Sequence, residues 1–317
     1  MKRFLLACLL ATPMAVVHAE PEDPWLVLQK AAEAAHDLSY KGVFVYQSGE
    51  NVKSVQITHM NYGQGEYARM VVLDGTPREM LSQGSDVVIF SPKNEKVIME
   101  KRRAHNLFPA VLPANIQAIK ASYKARIGAM ERVAGRDGRV VYLDPRDRLR
   151  YAYKFWADRE YGLLLKSLML NEQNQMLEQM TFSQVDMLES QDMDWFHPNV
   201  DHSKNYILEE GHAQPAEPST GWSVGNLPAG YRKVEQVTRL VPGKEAPVTQ
   251  VIFTDGLASV SLFIEPLVKG ARPKIGQTAK GATNFYANVS KGYQILVVGE
   301  VPAATVTQIG SAVSFSK

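Results

Sequence analysis

The chain has 317 residues, of which 45% are hydrophobic and 21% are charged. This length and composition allow one large or two ordinary domains with real cores, which excludes a wholly disordered protein. The 35 basic and 33 acidic residues give a formal net charge of +2, and such a balance without a basic stripe argues against nucleic acid as a ligand.

The N-terminus is typical of a secretory signal peptide. A basic start and an apolar run precede the small-x-small sequence VHA, so residues 1–19 are predicted to be removed after Ala19. A lipoprotein pattern ending at Cys8 is the alternative, but only four apolar residues precede it, which is too short for the apolar part of a signal. No later segment is apolar for long enough to span a bilayer. We therefore expect a soluble, exported chain without a cysteine for disulfides.

The first predicted element is an amphipathic helix. Asp23 is a suitable N-cap, and Pro24 suits the first helical position. Its predicted buried stripe comprises Trp25, Leu28, Ala32, Ala35 and Leu38. The spacing then changes to two, and short strands separated by turn-forming residues are predicted at residues 41–47, 53–59, 67–73, 79–81, 87–90 and 96–100. This succession predicts an antiparallel sheet that curls.

A second helix is predicted between residues 108 and 128, where Ile116, Ile119 and Tyr123 have helical spacing. We expect this helix to plug or cover the sheet. Short strands at residues 130–133 and 139–143 lead into the most regular part of the chain, residues 150–186. That part is predicted to be a β-meander with strands at residues 151–156, 163–170 and 176–186.

Residues 188–221 are predicted to be a linker, because prolines, glycines and mixed polarity replace the regular spacing. They separate a domain at residues 20–187 from a smaller one at residues 222–317. In the smaller domain, strands are predicted at residues 231–240, 249–254, 258–265, 281–289 and 293–300, followed by a helix at residues 303–313. The predicted fold class is mainly β, of the α+β type.

Neither catalytic nor metal-binding motifs are convincing. Residues 63–68 match the G-x-G-x-x-A form of a nucleotide fingerprint, but a strand-like sequence follows where a helix is needed. His197 and His202 are five residues apart without a third ligand at regular spacing, which a zinc site needs. A G-x-S-x-G elbow and a mature cysteine are both missing from the sequence. We expect no enzyme, no cofactor and no metal.

The apolar side chains of the curled sheet leave two interpretations open. They include Phe44, Tyr46, Ile57, Met70, Val72, Ile89, Ile98, Tyr153, Phe155, Leu165 and Met169. These side chains either fill a core beneath the helices or line a groove for an acyl chain or an apolar peptide. The 12 methionines favour an adaptable apolar surface.

Five segments together resemble one protein family. They are DGTPRE at residues 74–79, RYAYKFWAD at 150–158, LLLKSLML at 163–170, FTDGLASVSLFIEP at 253–266 and VGEVP at 298–302. With these segments the chain resembles the MucB/RseB family, periplasmic negative regulators of the sigma-E (AlgU-type) envelope-stress sigma factor. The T-D-G-L-x-x-x-S-x-F-x-E-P run is the most specific segment. The sequence departs at residues 162–165, GLLL, where the family often has a G-L-P-L turn.

The resemblance implies a two-domain periplasmic regulator. Its N-terminal domain would be a half-open antiparallel β-barrel with helices, similar to the lipoprotein carriers LolA and LolB. Its smaller C-terminal α+β domain would bind the periplasmic region of a membrane-bound anti-sigma factor of the RseA/MucA type and shield it from site-1 proteolysis. Lipopolysaccharide or its acyl chains would release the regulator. The alternative is a periplasmic lipid or lipoprotein carrier, which does not need the second domain; the sequence leaves open whether the chain forms a homodimer.

The resemblance also suggests roles for individual positions. The residues expected to form a lipid-facing wall are Phe44, Tyr46, Met70, Phe90, Tyr153, Phe155 and Leu165. Asp255 and Gly256 are expected to set a tight turn that presents Leu257 to the partner. The aromatic residues expected to supply either core or partner contact are Trp222, Tyr231, Phe253 and Phe263.

Overall fold

We describe the fold from a computed structural model. It describes residues 22–63, 65–84, 86–93, 96–103, 107–190, 192–197, 206–210, 214–215, 221–239, 246–268, 270 and 272–315. The predicted signal peptide, His202 and much of the predicted linker lie outside these residues. Within them, every helix is too short or too polar to cross a membrane.

Strands dominate the described chain. The helices are α1 (Pro24–Asp37), α2 (Gln117–Lys120), a 3₁₀-helix (Met193–Phe196) and α3 (Ala303–Ser311). The first twelve strands are β1 (Tyr40–Ser48), β2 (Asn51–Tyr62), β3 (Gly65–Val72), β4 (Arg78–Gln83), β5 (Asp86–Lys93), β6 (Lys96–Arg103), β7 (Tyr123–Val133), β8 (Arg136–Pro145), β9 (Ala152–Asp158), β10 (Leu164–Leu170), β11 (Met176–Met187) and β12 (Tyr206–Glu210). The remaining strands are β13 (Gln214–Pro215), β14 (Trp222–Val224), β15 (Arg232–Arg239), β16 (Val248–Thr254), β17 (Ser259–Pro266), β18 (Gly276–Lys280), β19 (Thr283–Ser290), β20 (Tyr293–Gly299) and β21 (Val313–Phe315).

The strands form two large sheets. One has twelve strands in the order β12-β6-β5-β4-β3-β2-β1-β11-β10-β9-β8-β7, and it does not close into a barrel. Its pairings are antiparallel except for β12, which runs parallel to β6. The other has seven strands in the order β13-β15-β16-β17-β20-β19-β18, next to a two-stranded sheet of β14 and β21. We call the first sheet with α1 and α2 the N-terminal unit, and the rest with α3 the C-terminal unit. The predicted mainly β fold is confirmed.

Helix α1 forms and packs as its sequence predicts. The Asp23 side chain accepts a hydrogen bond from the Trp25 amide at 2.9 Å, which caps the helix, and Pro24 stands in the first turn. Leu28, Ala32 and Ala35 are buried, and Trp25 and Leu38 are half-buried. The small alanines let the helix lie close against the concave face of the large sheet.

The helix predicted between residues 108 and 128 is wrong in extent. Only α2 is helical, and Tyr123 already begins β7. Ile116, Ile119 and Tyr123 are nevertheless fully buried in the core of the N-terminal unit, together with Phe108. The apolar spacing that indicated a helix thus reflects burial along residues 107–122, of which only α2 is an α-helix. We call residues 107–122 the plug segment.

The predicted meander is confirmed as β9, β10 and β11, paired in antiparallel register. In the C-terminal unit, four predicted strands correspond to β15, β16, β17 and β20. The strand predicted at residues 281–289 is β19, whereas its partner β18 was not predicted. Helix α3 covers the sheet of the C-terminal unit, where Val306 and Ile309 are fully buried against Val260 and Val297.

The 3₁₀-helix lies on the N-terminal unit. The Arg69 guanidinium lies over the Trp195 ring at 4.5 Å, and its Nη1 donates to the Trp195 carbonyl at 3.1 Å. Tyr67 contacts Phe196 with ring centroids 5.9 Å apart. These contacts fix the chain against β3 before it returns to the large sheet as β12.

Candidate functional site

A small cavity opens beside α1 in the N-terminal unit. Its volume is about 180 Å³, and most of its lining is apolar. The lining residues used below are Tyr40, Ile57, Met70, Val87 and Phe108 on its apolar side, and His36, His59 and Glu66 at its polar end. Residues 107–110, which belong to no helix or strand, form one wall. The cavity therefore lies between the curled sheet, the end of α1 and the plug segment.

A carboxylate between two histidines marks the polar end of this cavity. Glu66 Oε1 lies 2.9 Å from His36 Nδ1 and 3.0 Å from His59 Nε2. The other ring nitrogen of His59 lies 2.7 Å from the Leu38 carbonyl, and its ring stacks on Tyr40 at 4.8 Å. Both ring nitrogens of the buried His59 therefore face hydrogen-bond acceptors.

The histidines shift the titration of this cluster. The hydrogen bond to Glu66 raises the pKa of His36 above its ordinary value of 6.5. Burial alone would raise the pKa of Glu66, but the hydrogen bonds from His36 and His59 outweigh it and lower the pKa to about 2. The cluster ties the end of α1 to β2 and β3 through charge-assisted hydrogen bonds.

The seven residues predicted as a lipid-facing wall occupy different places. Phe44, Met70, Phe155 and Leu165 are buried in the core, and Tyr46 and Tyr153 pack against it. Met70 is the one member of this set that lines the cavity. Phe90 is half-buried and alternates with the buried Val87 and Ile89, which places it on the opposite face of β5. The set is therefore mostly core in this conformation.

The junction between the two units is organised by a buried ion pair. Arg150 Nε donates to Asp255 Oδ2 at 2.8 Å, and the two side chains are 1% and 0% exposed. The same guanidinium also bonds Asp147 and the Ala229 carbonyl, and it lies over the Tyr231 ring at 5.0 Å. One side chain of the N-terminal unit thus holds two loops of the C-terminal unit, one at residues 229–231 and the other at Asp255.

Asp255 also shapes the turn that it belongs to. Its Oδ1 accepts hydrogen bonds from the amides of Leu257 and Ala258, at 3.0 and 2.9 Å. Gly256 has φ +106°, which favours glycine, and a side chain there would lie 3.0 Å from Ile119 Cγ2. The predicted tight turn is present, and Leu257 packs against the core of the N-terminal unit. This turn of the C-terminal unit therefore faces the N-terminal unit.

Further contacts extend the junction. Thr305 Oγ1 donates to the Leu149 carbonyl at 2.7 Å, and Asn284 Nδ2 donates to Tyr151 Oη at 3.0 Å. Burial raises the pKa of Glu178 on β11 to about 7, and the negative charge of Glu300 in the C-terminal unit adds to this increase. A carboxylate of the C-terminal unit therefore disfavours the ionisation of one in the N-terminal unit, and burial also raises the pKa of Glu300.

The aromatic residues predicted in the C-terminal unit divide between core and surface. Tyr231 and Phe253 are buried in its core, and Trp222 packs against that core. Phe263 is half-buried and lies on the sheet face opposite the buried Leu262 and Ile264. Of the four, only Phe263 is directed away from the core.

Sequence reasoning missed the most important contact of the site. Arg150 and Asp255 belong to two of the segments that carry the family resemblance, yet they are 105 residues apart. No local pattern predicts such a pair. Its only signal was the presence of a charged residue at the start of an aromatic strand and another within a turn. The cluster of His36, His59 and Glu66 was missed for the same reason.

His197 and His202, near the predicted linker, were considered as metal ligands and were expected not to bind a metal. His197 is exposed and lies 4.0 Å from Asp194, whereas His202 is outside the described residues. In the part of the chain that the structure describes, no three His, Cys, Asp or Glu side chains are arranged so that they could hold a metal ion.

Two family models match the chain. The model of the MucB/RseB N-terminal domain matches residues 23–200, and the model of the MucB/RseB C-terminal domain matches residues 216–314. Among curated relatives, the chain is 29% identical to the sigma factor AlgU regulatory protein MucB of Pseudomonas aeruginosa, over 99% of this chain and 98% of that protein. It is 27% identical to the sigma-E factor regulatory protein RseB of Haemophilus influenzae, over 91% and 90%.

Solved structures agree with these matches. The chain is similar to MucB in the Pseudomonas aeruginosa MucA/MucB complex, with a TM-score of 0.76 and 26% identity over 93% of this chain and all of that one. A second structure, of MucB with MucA(peri), gives a TM-score of 0.75 at the same identity and coverage. The likeness covers 93% of this chain and so includes both units.

Proposed function

The chain belongs to the MucB/RseB family, and from this we propose that it is a periplasmic regulator that binds the periplasmic region of a membrane-bound anti-sigma factor of the RseA/MucA type. Bound to that region, it shields the anti-sigma factor from site-1 proteolysis and so represses the envelope-stress response. The observation that carries the proposal is the likeness, over 93% of the chain, to MucB in its solved complexes with MucA. The role is one of binding, not catalysis.

A lipid signal, such as lipopolysaccharide or its acyl chains, releases the regulator in this proposal. The apolar cavity of the N-terminal unit is the candidate entry point, but about 180 Å³ is less than the roughly 300–1,000 Å³ of ordinary ligand sites. An acyl chain therefore has to displace part of the wall. Residues 107–110 are the part of the wall outside regular secondary structure. A lipid that binds only the opened form shifts the population towards it.

Release requires the lipid and the anti-sigma factor to favour different states. Each ligand then lowers the affinity of the other by the same factor, because binding linkage is reciprocal. The junction around Arg150 and Asp255 supports such an arrangement, since the plug segment contacts it through Ile119. In this proposal the lipid binds the N-terminal unit and the anti-sigma factor binds the C-terminal unit, and the two units share the buried contact at Arg150 and Asp255.

The test is a pair of measurements on purified residues 20–317. Calorimetry with the periplasmic region of the same organism's anti-sigma factor should give binding that lipopolysaccharide weakens. In parallel, the chain should slow cleavage of that region by the site-1 protease, and lipopolysaccharide should restore cleavage. Absence of binding, together with uptake of a fluorescent acyl probe, would refute the regulator and favour the lipid or lipoprotein carrier. Binding that leaves cleavage unchanged would refute the protective role.

A further inference from the structure

The last strand of the C-terminal sheet is unusually open. Strand β18 ends the seven-stranded sheet and pairs only with β19 among the described strands. All five of its residues are exposed, so it buries nothing of its own in the core. Ile275, immediately before it, is 71% exposed, more than any other large apolar side chain in the described chain. A strand with this composition stabilises the unit little.

The register indicates which backbone groups face the open edge. A two-residue turn at Gly281 and Ala282 joins β18 to β19, and Lys280 lies opposite Thr283. In such a hairpin the pair flanking the turn is hydrogen-bonded, and every second pair after it is too. Gln277 and Ala279 therefore direct their N–H and C=O groups away from β19. These groups are free to pair with another extended chain.

Natural sheets usually block such edges. Proline, a bulge, or inward-pointing charge serves this purpose. Strand β18 contains neither proline nor bulge, and Lys280 is its single charged residue. The large sheet also ends in two edge strands, β12 and β7, but β7 has a register irregularity between Ile127 and Met130 of the kind that blocks an edge.

The charge around this edge has one sign. Between Glu265 and Glu300 the sequence contains five basic residues and no acidic one. The basic residues are Lys269, Arg272, Lys274, Lys280 and Lys291. Arg272, Lys274, Lys280 and Lys291 are exposed. A formal charge of this size, in a chain of net charge +2, favours a partner segment rich in aspartate and glutamate.

We propose that the open edge of β18 is where an extended acidic segment of the anti-sigma factor's periplasmic region adds as a further strand. This inference rests on the proposed function and names the surface that performs it. The backbone groups of Gln277 and Ala279 supply the hydrogen bonds, and Ile275 supplies an apolar contact. The exposed Arg272, Lys274 and Lys280 supply positive charge beside the added strand. Strand addition gains most of its affinity from such main-chain bonds.

The key variant is Ala279→Pro, with Ala279→Val as its matched control. Proline removes the outward N–H without removing a bond between β18 and β19, whereas valine keeps the N–H and suits a strand. By calorimetry with the same periplasmic region, Ala279→Pro should weaken binding about tenfold, as expected for an unpaired backbone donor. Ala279→Val should bind like the wild type.

A second pair of variants tests the charge. Lys274→Glu should weaken binding and reduce its dependence on salt, because it reverses a charge beside the edge. Lys124→Glu makes the same change at an exposed position of β7 in the N-terminal unit and should leave binding unchanged. Hydrogen exchange on the unmodified protein complements both pairs, since the amides of Gln277 and Ala279 should become protected in the complex.

The outcomes separate the two proposals. If the wild type does not bind the periplasmic region, the proposed function itself is wrong. If the wild type binds but Ala279→Pro binds equally well, or the two amides remain unprotected, the edge is not the docking surface and the function stands. If light scattering shows that Ala279→Pro only converts a dimer into a monomer, the edge joins two copies of this chain and our inference is overturned.

Discussion

Breaking the Arg150–Asp255 pair should uncouple the two units. Neither side chain is more than 1% exposed, so removing one partner leaves the other charge buried. Loss of one member of a buried pair costs about 3–5 kcal/mol. Asp255→Asn keeps an oxygen for the amides of Leu257 and Ala258 and should lose only this amount. Asp255→Ala also leaves those two amides unpaired, which adds roughly 2 kcal/mol.

A double-mutant cycle separates pairing from packing. The double variant Arg150→Met, Asp255→Asn removes both charges, but it also removes the bonds of Arg150 to Asp147 and to the Ala229 carbonyl. It should therefore be less stable than the wild type, yet more stable than the sum of the two single effects predicts. We therefore expect a coupling energy of at least about 2 kcal/mol.

Urea unfolding combined with hydrogen exchange provides the assay. The wild type should unfold in one transition, whereas Asp255→Asn should show earlier exchange in the turn and in residues 113–119, which face it. The reasoning is refuted if either single variant lies within about 1 kcal/mol of the wild type, or if the two effects simply add.

Three further predictions concern titration and backbone geometry. The raised pKa of His36 stabilises the fold below pH 6.5, and the lowered pKa of Glu66 stabilises it above pH 4.5. Glu66→Gln should therefore reduce the melting temperature most at pH 5–6, by the equivalent of less than about 1 kcal/mol. An equal loss at pH 8 would contradict this. Because the raised pKa of Glu178 removes stability as pH rises from 4.5 to about 7, Glu178→Gln should raise the melting temperature at pH 8 and leave it unchanged at pH 4. Gly256→Ala should lower the free energy of unfolding in urea by about 1–3 kcal/mol. Gly225 has open space around it, so Gly225→Ala should lower this free energy by less than half as much. Equal losses would refute the argument from φ.

Local periodicity predicted the parts of the fold that have it. The three strands of the meander and α1 were found because runs of apolar residues at strand or helix spacing, bounded by turn residues, mark them in the sequence. The same rule failed for residues 112–122, where Ile116 and Ile119 are buried from an irregular segment. It also missed β18, since a strand exposed on both faces has no alternation to detect.

The candidate site was less predictable than the fold. The turn at Asp255 and Gly256 could be foreseen, because aspartate and glycine favour turns. The contact of this turn with the N-terminal unit could not be foreseen, because Arg150 and Ile119 approach it only through tertiary structure. The wall residues were chosen by strand alternation, which cannot distinguish a filled core from a lined cavity, and Phe155 and Leu165 proved fully buried.

The order of strands in the large sheet determines how the protein can fold. Strands β1 to β6 form one succession of neighbours and β7 to β11 another, so nearly all of these pairings are local in sequence. The two successions meet where β1 pairs with β11, which joins Tyr40 to Met187. Closing so long a loop has an entropy cost that local hairpins avoid, and distant pairings of this kind slow folding. Strand β1 therefore has no partner on that side until β11 is available, and the sheet is completed in a late step.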